Sequence, residues 1–414
     1  MQAETRKGGG YQAWVVGLLS LNFGILFFDR NALNFLMPFV QPDLGLSNTQ
    51  VGMFSSALSL TWALSGLAVG RISDRLGSRK PVVVIATLAF CLCSFVSGVA
   101  SSFFMLLGAR LLMGAAEGGV MPVSHSMIVS EVAPEQRGMA MGVAQNLGSN
   151  LLGSGLAPIL LVPVAAIYGW REGFYLAAAP GLITAALIWF TLREPPVEQH
   201  DENNPKVSLA EAFRHRNVVL CALISILLVS YLVVCWAFMP LFLTKVRGFE
   251  PGTMSWLMAA LGVSAGIGSF VVPAISDAVG RRPVMIFFAF LGVILPLAGL
   301  YYTGSAWILG AIFFFGWALN GLFPMFMATI PAESVDPRLT ATLTGVVMGT
   351  GEVLGGVLAP FIAGALGDRF GLSAPLWLML GCTVLAGILA MGLVESAPRV
   401  LARRHSANAA PALG

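Results

Sequence analysis

GRISDRLGSRKPV, residues 70–82, returns in weaker form as PAISDAVGRRPVM, residues 273–285, with Asp74 set against Asp277. Two further pairs obey the same rule. APEQRGMAMGV (133–143) matches DPRLTATLTGV (336–346), and LGSGLAP (152–158) matches LGGVLAP (354–360). The offset is 203 or 202 residues each time, in order along the chain. Chance explains one such match, not three. The chain is one unit written twice.

Each copy is too apolar for water. Hydrophobic residues make up 57% of the 414 and charged ones 10%, where a soluble domain carries roughly 25% charged. The mean hydropathy is +0.82. Windows of ~20 apolar residues mark membrane helices. Twelve are predicted, at 13–40, 49–70, 80–101, 103–129, 137–167, 172–192, 217–244, 252–275, 283–303, 305–330, 339–367 and 373–395. The fold class is an all-α membrane protein of two six-helix pseudo-symmetric bundles. The expected organisation is a tail (1–12), a first bundle (13–193), a linker (194–216), a second bundle (217–396) and a second tail (397–414). In the linker, Ser208 and Glu211 have capping-box spacing for a short surface helix. Two halves in parallel repeat imply a site between them near the membrane midplane.

Of the 23 Lys and Arg, Arg30 and Arg110 lie inside helices, and Arg171, Lys245, Arg247 and Arg369 fall in loops on one side. The remaining 17 lie in tails and loops on the other side, so the positive-inside rule places both termini in the cytoplasm. The short loops suggest a bacterial inner membrane. The first apolar run is too long for a signal-peptide core and reads as a retained helix. The five cysteines show no metal spacing and all fall in apolar segments, as small core residues do. Neither a metal nor another cofactor is expected, nor a nucleic-acid partner, since the basic residues are scattered. A monomer in the bilayer is expected.

GRISDRLGSRK resembles the loop signature G-x-x-x-D-[RK]-x-G-x-[RK]-[RK] of the major facilitator superfamily, between helices 2 and 3. The resemblance covers essentially the whole chain. Within that superfamily, FDRNAL in helix 1, the Arg110 to Glu117 spacing in helix 4 and GWREGFY (169–175) are similar to the anion:cation symporter family. The resemblance implies carriage of organic anions such as sugar acids, other carboxylates or phosphate, often with protons.

The charges inside the membrane are Asp29, Arg30, Arg110, Glu117 and Glu352. Each costs about 2.5–3.5 kcal/mol on insertion scales, and such groups are functional by default. Arg110 and Glu117 are two turns apart and share a face of helix 4, with Gly114 between them leaving room for a partner or ligand. Asp29 and Arg30 both reach the interior side of helix 1. In the superfamily fold, helices 1 and 4 line the cavity, so the four groups meet in one polar cluster. Arg30 and Arg110 present planar forks suited to carboxylate or phosphate. Asp29 and Glu117 can take up and release protons, and are assigned proton coupling. The bland alternative is a structural network pairing Asp29 with Arg110 and Glu117 with Arg30.

Trp62, Asn146, Asn320 and Glu352 complete the expected substrate set. Asn320 aligns with Glu117 in the repeat, and Glu352 stands where the first copy has Asn150. Gln145, Asn150, Tyr231, Trp236 and Trp317 are weaker candidates. Asp74, Arg75, Arg79, Arg137, Asp277 and Arg281 are gating parts, with Asp74 capping a neighbouring helix and pairing with an arginine such as Arg137. The leading function is uptake of a small organic anion by proton symport through alternating access. Sodium in place of protons, exchange and proton-coupled efflux stay open, as does a non-transporting sensor. No H-E-x-x-H, P-loop or dinucleotide motif supports an enzyme. Phe27 and Phe28 before the Asp-Arg pair, with only six tyrosines, tilt the substrate slightly from a polyhydroxy acid toward an aromatic or simple carboxylate.

Overall fold

A computed structural model describes residues 9–76, 78–133, 136–194, 214–336 and 339–409, apart from the side chains of 67, 70–72, 74–76, 341 and 404–409. Backbone groups in a bilayer must bond internally, and the apolar runs do so as helices. Ten stretches are long and apolar enough to cross a membrane. They are α1 Gly9–Asp43, α3 Lys80–Gly98, α4 Phe103–Glu131, α5 Arg137–Tyr168, α6 Trp170–Thr191, α7 Arg216–Lys245, α8 Pro251–Val279, α9 Arg281–Tyr301, α10 Ala306–Glu333 and α11 Thr342–Phe370. The more polar α2 (Asn48–Leu76) and the 17-residue α12 (Ala374–Ala390) complete the twelve. The predicted windows fall on these helices. One difference lies in the second expected tail, where Pro398–Ala409 forms a helix, α13. Its Ala, Leu and Arg are good helix formers, and its proline sits at the start, where no donor is lost. The linker and its Ser208–Glu211 pair lie outside the described residues, apart from its ends.

The repeat is visible in the backbone. Gly45 and Gly248 turn α1 into α2 and α7 into α8 with φ of 62° and 66°. Gly169 and Gly371 do the same at the α5–α6 and α11–α12 turns with φ of 106° and 84°. L side chains avoid this region, so glycine is required at both copies of each turn. The helix starts at α3 and α9 also match. The Glu194 carboxylate accepts from the N–H groups of Arg79 and Lys80, and that of Glu395 accepts from those of Arg281 (2.7 Å) and Arg282 (3.2 Å). In each half the end of the sixth helix caps the third.

The first six helices pack together through α1 with α5, α2 with α4 and α3 with α6, and the last six through α7 with α11 and α12 and α8 with α10. The halves meet along α2 with α11 and α5 with α8. Hydrogen bonds join them on the side away from the chain ends, hereafter the far side. Ser56 donates to the Val357 carbonyl at 2.5 Å, Ser255 to that of Pro158 at 2.8 Å, and Lys245 to the Gln41 amide oxygen at 2.7 Å.

Candidate functional site

Between the halves lies a cavity of about 370 Å³. The helices around it are not regular. In α5 the segment Val143–Leu156 is wound in wide i→i+5 turns, and in α11 so is Gly351–Leu358. In α10 a tight turn, Ala318–Leu322, is followed by a wide one, Met325–Thr329. Such turns rotate side chains off the ordinary helical face and are frequent at functional sites. They carry Gln145, Asn146, Asn150, Asn320 and Glu352, all of which line the cavity.

The expected substrate residues Arg30, Arg110, Trp62, Asn146, Asn320 and Glu352 meet on this one cavity. Arg30 projects from α1, its guanidinium carbon 5.3 Å from the Trp62 ring centre and 5.5 Å from that of Phe27. An aromatic face stabilises a desolvated cation by up to about 2 kcal/mol. Behind it, Glu117 Oε2 lies 3.9 Å from Arg30 Nη1, and the Glu117 side chain has no solvent exposure. Arg110 Nη1 donates to the Arg30 carbonyl oxygen at 3.2 Å, so α4 and α1 are tied at this residue. Its Nε and Nη2 are buried without a hydrogen-bond partner.

Asp29 and Glu117 are fully buried and do not line the cavity. Neither Asp29 oxygen has a hydrogen-bond partner; the neighbouring Ser94 hydroxyl is directed to the Phe174 carbonyl, 3.4 Å away. The wall is thus layered, with Arg30 in front, Arg110 nearly buried at the lining, and the carboxylates behind. The room beside Gly114 goes to α2 and not to a ligand: a Cβ there would stand 2.3 Å from the Leu58 carbonyl oxygen and from Thr61 Oγ1.

Several residues prove to lie one layer back or to be additional. Trp236 lines the cavity, while Trp317 packs edge-on behind it at 5.3 Å, and Tyr231 donates to the Gly292 carbonyl at 2.9 Å. Asn31, Asn34, Ser59 and Ser149 also line the cavity. Asn31 and Asn34 follow Arg30 at one and four residues, so helical spacing from Arg30 is the signal that finds Asn34. The five cysteines are free and buried.

The expected gating residues make contacts inside their own halves. Arg281 binds Asp277 at 2.6 Å and Glu333 at 2.8 Å. Arg79 donates to the Ser126 carbonyl at 3.1 Å, and Arg137 to that of Val132 at 3.1 Å. The side chains of Asp74 and Arg75 lie outside the described ones.

The family model described as Major Facilitator Superfamily matches residues 19–346 and 232–413. The chain is 24% identical over 387 residues to a probable sulfoacetate transporter of Cupriavidus necator, covering 86% of this chain and 87% of that protein. It is 29% identical to the hexuronate transporter of Bacillus subtilis, over 66% of this chain and 67% of that one. It is also 26% identical to the multidrug resistance protein MdtL of Klebsiella pneumoniae, over 88% and 91%. Among solved structures, a bacterial homolog of the human lysosomal transporter Spinster, inward-facing and unoccupied, superposes with a TM-score of 0.75 at 21% identity, covering 98% of this chain and 100% of that one.

Proposed function

The chain belongs to the major facilitator superfamily, and from that premise we propose that this multi-pass membrane transporter imports a small organic anion by proton symport. The observation that carries the reading is the pair of guanidinium groups, Arg30 and Arg110, in one wall of the cavity. A carboxylate that reaches such a pair takes charge-assisted bonds from it. The relatives named for sulfoacetate and hexuronate carry organic anions, which supports the same substrate class.

On the reading that the Lys and Arg bias keeps the termini in the cytoplasm, the far side, joined by the hydrogen bonds above, faces outward. In the outward-open form, Asp29 and Glu117 take up protons and loosen their hold on the arginines. The anion then binds Arg30 and Arg110, held also by Trp62, Asn146, Asn320 and Glu352. A neutralised site is occluded without burying excess charge. The far side closes as it is closed here, the protons leave to the cytoplasm, Glu117 reclaims Arg30, and the anion follows. Asp277 and Arg281, with Arg79 and Arg137, brace the loops that part on the terminal side.

Proton-coupled efflux is the second reading, favoured by the MdtL resemblance and by aromatic residues around the cavity. The two part in proteoliposomes. Symport predicts that an acid-outside gradient drives accumulation of a carboxylate and that the Arg110→Ala variant abolishes it. Carboxylate uptake indifferent to the gradient, or apolar cations expelled by the Arg110→Ala variant as by wild type, contradicts symport.

A further inference from the structure

The cavity wall is electrically lopsided. Arg30 and Arg110 stand on the first half, and the carboxylates that balance them lie behind the lining. The second half presents an apolar wall, Trp236, Phe323, Met327 and Met348 among it, interrupted by Asn320 and Glu352. Glu352 is the sole charged residue of that wall among the described ones.

Glu352 sits in the wide-turn segment Gly351–Leu358. Beside it Gly356 leaves space: a Cβ built there would stand 3.4 Å from Glu352 Oε2 and 3.4 Å from Ser59 Oγ of α2. The carboxylate therefore reaches toward the opposite half. Arg30 lines the same cavity, beyond salt-bridge distance, and no described residue gives Glu352 a hydrogen bond. An ionised carboxylate accepts and cannot donate. A second carboxylate placed there meets a like charge, and a methyl group leaves Glu352 unpaired. A hydroxyl or ammonium satisfies it.

We propose that Glu352 is a specificity-determining residue that reads the end of the substrate remote from its carboxylate. The substrate class is then a monocarboxylate with a hydrogen-bond donor, hydroxyl or ammonium, across an apolar body. Such a molecule inserts between Arg30 and Glu352: its carboxylate takes the arginine, its donor takes the glutamate, and its body lies along Trp62 and Trp236. The proposal rests on the anion-transport reading above and deepens it.

The test is a binding titration of the purified full-length protein at pH 7.5 with two matched series. One is hexanoate, 6-hydroxyhexanoate, 6-aminohexanoate and adipate; the other is benzoate, 4-(hydroxymethyl)benzoate and terephthalate. In at least one series the donor-bearing acid is expected to bind about tenfold or more tightly than both the unsubstituted acid and the diacid, as a hydrogen bond to a charged group provides. In Glu352→Gln the preference over the diacid narrows, while Glu352→Asp retains it, and the melting temperature of each ligand-free variant reports its folding. A diacid that binds wild type as well as the donor-bearing acid, or a ratio unmoved in a folded Glu352→Gln, overturns the proposal. In that event, binding lost in Arg30→Ala leaves the anion reading standing. If no acid of either series binds wild type, both are overturned.

Discussion

The carboxylate of Asp368, near the end of α11, holds the first turn of α2 in the other half: it accepts from the N–H groups of Asn48 at 2.8 Å and Thr49 at 2.9 Å and from the Thr49 hydroxyl at 2.6 Å. A negative charge at a helix N-terminus is favourable, and a side-chain cap contributes about 1 kcal/mol. Gln41 extends the latch, donating to Asn48 at 3.0 Å while accepting from Lys245 at 2.7 Å. These bonds exist only while the far side is closed. Asp368→Ala is therefore expected to shift the population toward the far-side-open form roughly fivefold. Spin-label distances across the far side of α2 and α11 check it. An unchanged distance distribution contradicts the latch.

Close approach holds the same seam. A Cβ on Gly52 would stand 2.1 Å from the Pro360 carbonyl oxygen. Gly52→Val is expected to leave the halves folded but to forbid far-side closure, abolishing transport while the melting temperature stays near wild type. Transport at the normal rate would show that the seam opens and closes elsewhere.

Trp62 and Arg30 give a graded prediction. Removing one aromatic face from a desolvated guanidinium costs about 1 kcal/mol, so Trp62→Ala is expected to weaken anion binding about fivefold. Trp62→Phe retains most of it. Equal losses in both variants would mean that Trp62 acts through its indole N–H or its bulk.

The proton steps carry a sign. If Asp29 and Glu117 take up protons from outside, wild-type uptake rises as the external pH falls, because protonation frees the arginines. Glu117→Gln and Asp29→Asn are expected to flatten that dependence and to lose accumulation against a gradient, while exchange of internal for external substrate persists. A steep external pH dependence in both variants would move coupling to another group. Measurement of counterflow beside net uptake separates the cases.

Much of this was legible in the residues. Apolar runs were enough for twelve helices, because a bilayer leaves the backbone few alternatives. The charged and amide residues of the cavity lining were found because a charge or amide inside an apolar helix stands out. Depth was not legible: Asp29 neighbours Arg30, yet one lies behind the wall and the other on it, since about 100° of helical rotation separates them. At Gly114 the sequence left a helix partner and a ligand both open, because a missing side chain in one helix does not announce which neighbour fills it; α2 fills it. The wide turns in α5, α10 and α11 break the 3.6-residue period, and periodicity alone does not foresee them. The cap from Asp368 to Asn48 and Thr49 joins residues over three hundred positions apart, beyond any local pattern.

The central claim is that an organic anion binds on Arg30 and Arg110. Its most direct test is a thermal-shift screen of the purified protein against carboxylates at pH 5.5 and 7.5, with Arg30→Ala and Arg110→Ala alongside, since a bound ligand stabilises the fold by mass action. The account predicts a shift for at least one acid, larger at pH 5.5 and lost in both variants. An acid that stabilises the two variants as much as wild type would contradict it and make the arginines structural.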